Sequence, residues 1–231
     1  MNPLKGGIIK VYLEPHEVES IEQQTTCLRD RLLIQLLFRL GCRVSEALSI
    51  RVSDIDFGQG TVTILHLKGS MSLSCSKCKA RLGRHHRFCP RCGEEITEAV
   101  MRQQERRRMR TLPLDGDTLD MLTDFVRGRD RNSAIFGINR HRAWQIVREC
   151  ARRAGIQSLH NPETGRTRGV SPHRLRDAFA VHAMKLDNSG DGLRLLQEHL
   201  GHAGFNTTAK YRKVAGDELR QWYQKLWSKV R

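Results

Sequence analysis

Apolar residues recur at helical spacing along most of this chain, and the departures from that rhythm gather in its first half. Leu28 to Leu40 carries a 3.6-residue apolar pattern and stops at Gly41, a residue suited to ending a helix. Val44 to Ile50 follows as a short helix. Arg51 to Phe57 and Thr61 to Leu67 flank Gly58-Gln59-Gly60, which predicts strand, turn and strand, with a returning strand at about Arg110-Thr111-Leu112-Pro113-Leu114. Beyond it, Asp117 to Val126 and His141 to Ala154 read as amphipathic helices, the second closed by Gly155-Ile156. Pro162 to Gly169 reads as a polar loop. Ser171-Pro172 opens a helix that runs through Leu186, Asn188 to Asp191 breaks the chain, and Leu193 to Leu200 is helical up to Gly201-His202. Asn206-Thr207-Thr208 then opens the segment bearing Tyr211. The expected fold class is mainly α with a small antiparallel β-sheet, α+β.

Residues 216–231 add a last amphipathic helix, with Leu219, Trp222, Tyr223, Leu226, Trp227 and Val230 on one face. That stripe either packs on its own domain or docks on a neighbouring protomer.

At 231 residues the chain is long enough for one main domain and something small. Its formal net charge of +15 calls for a polyanionic partner, and nucleic acid is favoured over a membrane surface. Leu32 to Leu40 is interrupted by Gln35 and Arg39, so no apolar run is long enough to span a bilayer, and the N-terminus lacks the organisation of a signal peptide. A cytoplasmic, nucleoid-associated protein is expected.

Seven cysteines in such a chain argue for metal rather than disulfides. Four of them form Cys75-x-x-Cys78 and Cys89-x-x-Cys92, two thiolate knuckles ten residues apart, and Pro90 and Gly93 make the second resemble the Cys-Pro-x-Cys-Gly turn of zinc ribbons. One structural zinc ion in a tetrahedral thiolate cage is the expected cofactor, in a module spanning 70–105. His85 and His86 are alternative ligands that fit better as solvent- or phosphate-facing residues. Cys27, Cys42 and Cys150 lie in apolar helical patterns and read as buried free thiols. From Cys75 through Arg110 eleven Lys or Arg stand against four Glu, +7 of the chain's charge. Lys77, Lys79, Arg81, Arg84, Arg87, Arg91, Arg106, Arg107 and Arg108 are therefore candidates for contact with DNA phosphates, against the plainer reading of a solvated basic face.

The candidate chemistry lies elsewhere. Gly41-Cys42-Arg43-Val44-Ser45-Glu46, Pro172-His173-Arg174-Leu175-Arg176, Leu200-Gly201-His202 and Thr207-Thr208-Ala209-Lys210-Tyr211 contribute two arginines far apart in sequence, two histidines and a late tyrosine. Metal-free cleavage of a phosphodiester needs that set: guanidinium forks for the non-bridging oxygens, an aromatic hydroxyl as nucleophile, and imidazoles to move protons. His182 and His199 stand nearby without a place in it.

These four boxes, in this order, resemble the tyrosine recombinases, the family of phage integrases and Xer-type enzymes, whose second box reads His-x-x-Arg, then Leu-Gly-His, then a tyrosine nine residues on. His202 and Tyr211 are nine apart here. The resemblance covers roughly residues 10 to 215 outside the cysteine segment, with Leu13 to Glu19 similar to the start of the family's catalytic domain. It implies that Arg43 and Arg176 bind the scissile phosphate, Glu46 orients them, His173 assists proton transfer at the tyrosine, His202 hydrogen-bonds the phosphate and Tyr211 forms a 3′-phosphotyrosyl bond. It also implies a site-specific recombinase or integrase acting on double-stranded DNA, without ATP or a catalytic metal, as a tetramer whose C-terminal helices pass between subunits.

The chain departs from the family pattern twice. The family's hairpin lysine, which protonates the leaving 5′-oxygen, commonly sits in Gly-Lys-Gly just before the returning strand. Here Lys68 keeps the following Gly69, but the return is delayed by the cysteine segment, so the zinc module looks inserted at the tip of that hairpin, and a shift of register would bring Lys77 or Lys79 to the same place. Secondly, only about ten residues precede the catalytic start, where relatives carry a helical clamp domain. The chain is then a piece of a longer protein, or a short enzyme resembling the fimbrial-switch invertases, or one in which the module replaces part of the clamp. Two other functions compete: a tyrosine-type DNA topoisomerase, and a catalytically inactive zinc-ribbon DNA-binding regulator.

Overall fold

A computed structural model of the chain describes residues 12–65, 73–83, 86–96, 109–156, 158–161, 165–202 and 204–214. Its centre is helix α2 (Leu28–Arg39), whose Leu32, Leu33, Ile34, Leu36 and Leu37 are all buried. A helix apolar on nearly every side must be surrounded. Helices α1 (Pro15–Gln23), α3 (Val44–Ser49), α4 (Gly116–Val126), α5 (Arg140–Arg153) and α6 (Pro172–Leu186) all pack on it. Helices α7 (Gly190–Leu200) and α8 (Phe205–Val214) lie on the far side of α6, where Ala180, Val181, Met184, Leu193, Leu196, Leu200 and Tyr211 make a second, smaller core.

The helix ends that matter to the site are locally determined. Gly41 takes φ +54°, where an added Cβ would collide with the Phe179 ring, so α2 ends and the chain turns towards Arg43 at a glycine. Ser189 Oγ accepts the Gly192 N–H at 2.9 Å and starts α7 at Gly190, inside the stretch expected to break the chain. At the other end of α7, Gly201 adopts φ +63° as a left-handed cap.

Strands β1 (Ile55–Asp56), β2 (Thr61–Leu65) and β5 (Met109–Pro113) form an antiparallel sheet in that order. Val62 pairs with Leu112, Ile64 with Arg110 and Leu65 with Met109, so residues 66–108 leave and re-enter the sheet across one rung. Within that stretch β3 (Leu73–Ser74) and β4 (Arg81–Leu82) form a separate two-stranded pair.

Four expectations need correction. Arg51 to Phe57 is not a continuous strand: Asp54 accepts the Arg51 N–H at 2.8 Å and winds Val52–Asp54 into a 3-10 turn, leaving two residues of strand. The polar loop is a hairpin, β6 (Ser158–Asn161) pairing with β7 (Arg166–Gly169), which exposed Arg and Thr positions did not reveal. The break at Asn188 to Asp191 is shorter than expected, as above. Cys27 is exposed at the start of α2, whereas Cys42 and Cys150 are buried as read. Lys68, His85, Arg84, Arg106, Arg107, Arg108 and residues 216–231, expected to be helical, lie outside the described residues. Among those described, no helix is long and apolar enough to cross a membrane.

Candidate active site

Arg43 stands at the entrance to α3, where its backbone N–H reaches Glu46 Oε2 at 2.9 Å and its guanidinium Glu46 Oε1 at 2.8 Å. Glu46 is fully buried, and its Oε2 also accepts from Arg110 Nη2 at 2.9 Å, the arginine delivered by β5. Burial alone would raise the carboxyl, but the Arg110 hydrogen bond, the Arg43 backbone N–H and the two guanidinium charges outweigh it and hold Glu46 down at about 2. One buried carboxylate thus fixes one arginine of the candidate pair through two bonds. Arg110 Nε and Nη1 are buried with no hydrogen-bond partner.

The second arginine comes from α6. Arg176 is 1% exposed; its guanidinium donates to the Gly41 carbonyl, to the Leu200 carbonyl at 2.8 Å and to His202 Nε2 at 2.9 Å. The turn before Arg43 and the end of α7 therefore hold the fork between them. Burial and the like charge of Arg43 draw Arg176 down to about 10, which leaves it charged at neutral pH. Because His202 Nε2 accepts from Arg176, its proton belongs on Nδ1, which lies 2.8 Å from Thr208 Oγ1. Burial, then the charges of Arg176 and Arg43, push His202 down to about 4, so the ring is neutral.

Tyr211 sits on α8 with its ring stacked 6.5 Å from His202 and its hydroxyl donating to Asp177 Oδ1 at 2.6 Å. Both residues are buried. Arg174 holds Asp177 Oδ2 at 2.8 Å, and His173 Nε2 lies 3.7 Å from Oδ1. Burial first, and then the Asp177 charge, push the phenol well above its ordinary range. His173 is lowered by burial against the attraction of Asp177.

Arg43, Arg176 and His173 line a cavity of about 450 Å³ together with Cys42, Val44, Ser45, Arg140, Trp144, Ser171 and Pro172. The N-terminal ends of α3, α5 and α6 all open onto it. Three arginines among the lining residues, Arg43, Arg140 and Arg176, and the positive ends of α5 and α6 suit an anion. Tyr211 and His202 are not among the lining residues. The Cys42 thiol, pushed up to about 12 by burial, is inert here.

The structure brings Arg43, Glu46, His173, Arg176, His202 and Tyr211 into one region, as their boxes implied, and adds three that sequence reading missed. Asp177 follows Arg176 directly, Thr208 lies within the tyrosine box, and Arg110 is on the returning strand. Thr208 lay within a box but was given no role there, and Asp177 and Arg110 belong to no box; the signal available for Asp177 was its i, i+4 spacing from His173. His199 is occupied elsewhere, stacked 4.8 Å from Phe179 with Nε2 at 3.0 Å from the Leu40 carbonyl.

Apart from this site, Cys75, Cys78, Cys89 and Cys92 place their four sulfur atoms within 4.8 Å of one another, so they could hold a metal ion. Cys75 and Cys92 are 3.5 Å apart, as are Cys78 and Cys89; four sulfurs at about 2.3 Å from a central ion would stand only slightly further apart. Backbone N–H groups of Cys78 and Lys77 draw the Cys75 thiol down to about 6, and Cys89 is also lowered, whereas the crowding of the other three sulfurs pushes Cys92 up, so without a cation the cluster does not hold four thiolates. Around the cage Lys77, Lys79, Arg81, Arg87 and Arg91 are exposed, Lys77 pairing with Glu94 at 3.3 Å and Lys79 reaching the Ser76 carbonyl at 3.2 Å. Neither lysine lines the cavity. His86 is exposed and accepts the Gly83 N–H through Nδ1, so it is no ligand of the cage.

A family model described as the phage integrase family matches residues 12–218. Tyrosine recombinase XerC of Staphylococcus aureus (strain MSSA476) is 29% identical over 231 residues, covering 96% of this chain and 63% of that protein. Tyrosine recombinase XerD of Neisseria meningitidis serogroup B (strain ATCC BAA-335 / MC58) is 35% identical over 188 residues, 81% of this chain and 51% of its own length. The chain therefore spans only part of the curated relatives it matches. Its fold is similar to the crystal structure of XerA recombinase, with a TM-score of 0.61 at 22% identity over 97% of this chain and 66% of that one. It is also similar to the catalytic domain of bacteriophage HP1 integrase, with a TM-score of 0.51 at 18% identity over 93% and 94%.

Proposed function

The chain belongs to the phage integrase family, and on that premise we propose that it is a site-specific DNA recombinase that cleaves and rejoins double-stranded DNA through a 3′-phosphotyrosyl intermediate. The observation that carries this is the convergence of Arg43 and Arg176 on one cavity at three helix N-termini, a receptacle for a phosphodiester. In this reading Arg43 and Arg176 hold the non-bridging oxygens, Glu46 positions Arg43, His202 hydrogen-bonds the phosphate and Tyr211 attacks phosphorus. His173 assists the proton transfer, and Lys68 protonates the leaving 5′-oxygen. The free 5′-hydroxyl of a partner strand then displaces the tyrosine, so the bond energy is conserved and neither ATP nor a catalytic metal enters.

The cysteine cage fits one structural zinc ion, and 70–105 is proposed as a zinc-ribbon module inserted in the hairpin of a catalytic domain that takes up the chain. Zinc would supply only the fold of that module. Lys77, Lys79, Arg81, Arg84, Arg87, Arg91, Arg106, Arg107 and Arg108 are its proposed DNA contacts. The helix of 216–231 is proposed to link subunits in a DNA-bound homotetramer, in the cytoplasm where the chromosome is. The XerH recombinase, similar in fold here at a TM-score of 0.59 and 21% identity, was crystallised on its difH substrate, which supports a DNA partner.

One observation favours the DNA-binding regulator as a second reading: Tyr211 is buried and tied to Asp177. Recovery of chromosomal DNA covalently attached to the protein under denaturing conditions decides between them. Attachment at discrete joints, absent in Tyr211→Phe, is the expected result; no attachment by folded wild-type protein would leave the regulator. Plasmid relaxation without strand exchange would instead indicate the topoisomerase.

A further inference from the structure

We propose that Asp177 is the proton acceptor for Tyr211 during strand cleavage, an inference that rests on the strand-transfer reading above. His173 reaches Asp177, and it is Asp177 that accepts from Tyr211 Oη at 2.6 Å. A buried phenol beside a carboxylate cannot ionise before it reacts, so its proton must leave as the bond to phosphorus forms. The group already on that proton is Asp177, oriented by Arg174 on its other oxygen. The same Oδ1 lies 3.7 Å from His173 Nε2, and His173 is 58% exposed at the cavity. Tyr211, Asp177 and His173 thus lead from nucleophile to solvent, with Arg174 holding Asp177 from the other side.

The step balances as follows. Tyr211 Oη forms its bond to phosphorus with its own lone pair while its proton passes to Asp177 Oδ1. The bond between phosphorus and the 5′-oxygen breaks, and that oxygen leaves with its electron pair and takes a proton from the general acid proposed as Lys68. Asp177 then hands its proton to neutral His173, regaining the charge that Arg174 holds. On rejoining, the order reverses. This gives His173 its part in proton transfer at one remove, and makes Asp177 a catalytic residue because it touches the reacting atom.

A carboxylate that only stored the tyrosine would act in the opposite direction, since removing it would free the nucleophile. The test uses the full chain with sheared chromosomal DNA of the source organism as probe, and follows covalent adducts in time between pH 6 and 9.5. Asp177→Asn keeps the shape and a hydrogen-bond acceptor but takes no proton. It should form adducts about 100-fold more slowly at neutral pH, with unchanged filter binding, and recover as hydroxide replaces the missing base at high pH. Asp177→Glu should recover part of the rate. Adduct formation by Asp177→Asn at or above the wild-type rate, or a deficit that is constant across pH, overturns the assignment.

Arg174, His173 and Tyr211 face Asp177 directly, while Arg176 and Lys210 act on His173, and Arg176 and Tyr12 act on Tyr211. Should Asp177→Asn fail to fold, Asp177→Glu decides. A reduced rate that keeps the wild-type pH profile supports the base, and a rate equal to or above wild type overturns it. Wild-type protein that forms no adducts while Tyr211→Phe behaves identically would overturn the strand-transfer reading itself, a result distinct from either.

Discussion

Arg110 on β5 donates to Glu46 on α3 at 2.9 Å, although 64 positions separate them and the whole cysteine segment lies in that interval. The strand that re-enters the sheet after the cysteine segment thus delivers a buried charge to the carboxylate that holds Arg43. Arg110→Ala should leave Glu46 with one guanidinium and cost about 3 kcal/mol of stability, because it strips a partner from a buried charge. Adduct formation should fall at least tenfold, with little loss of DNA binding. Arg110→Lys should restore a part of both. Urea unfolding and the adduct assay measure the two effects, and a variant as stable and active as wild type would contradict the role.

Gly201→Ala tests the turn that carries His202. The residue sits at φ +63°, and a Cβ there would lie 2.9 Å from Arg110 Nη1. The left-handed backbone costs about 1 kcal/mol for alanine, and the contact displaces Arg110 as well. A lowered thermal midpoint together with slower adduct formation is expected. The same change at Gly204, where nothing lies within 4 Å of an added Cβ, should cost much less.

Acid should weaken the fold well before carboxylates protonate in bulk. His202 is pushed down to about 4 and His173 and His199 are also lowered, all by burial first. The unfolded chain then binds protons from about pH 6.5 downward while the folded chain does not, so stability is complete above that value and is lost as pH falls towards 4. With its partial exposure allowed for, His202 is worth about 2 kcal/mol, and His173 and His199 act in the same direction. Denaturant midpoints at pH 7 and pH 5 would show the loss, and His202→Gln should reduce it.

Metal removal should be local. A strong chelator or a thiol-reactive reagent is expected to release one zinc ion per chain, measured by atomic emission. The Cys75, Leu82 and Cys89 cluster should then lose its packing while the α2-centred core melts as before. Cys78→Ser should purify with little zinc. Retention of a full equivalent by that variant would disprove the cage.

Much of the architecture was legible because it rests on local rules. The apolar run of α2 and its stop at Gly41, the proline start of α6 and the return at β5 each follow from side-chain type and spacing. Arg43, Arg176 and Tyr211 stood out as candidates because their boxes keep fixed offsets, and the structure places them in one region. Asp177 and Arg110 escaped for a shared reason: each matters through a partner 34 or 64 positions away, and nothing in its neighbours announces that partner. The strand expected at Arg51 failed because alternation cannot weigh a single Asp54 carboxylate capturing a backbone N–H. The β6–β7 hairpin failed because both strands are largely solvent-facing, so no apolar face marks them.

The rung from Leu65 to Met109 has a consequence for how such a chain evolves. Residues facing each other across antiparallel strands stand about 5 Å apart, so to the host domain everything between them is a loop of negligible span. Any unit whose own ends meet can be exchanged at that rung while β2, β5 and the arginine they carry keep their register. The hairpin is a socket: what fills it can change while Arg110 and the carboxylate it reaches stay where they are.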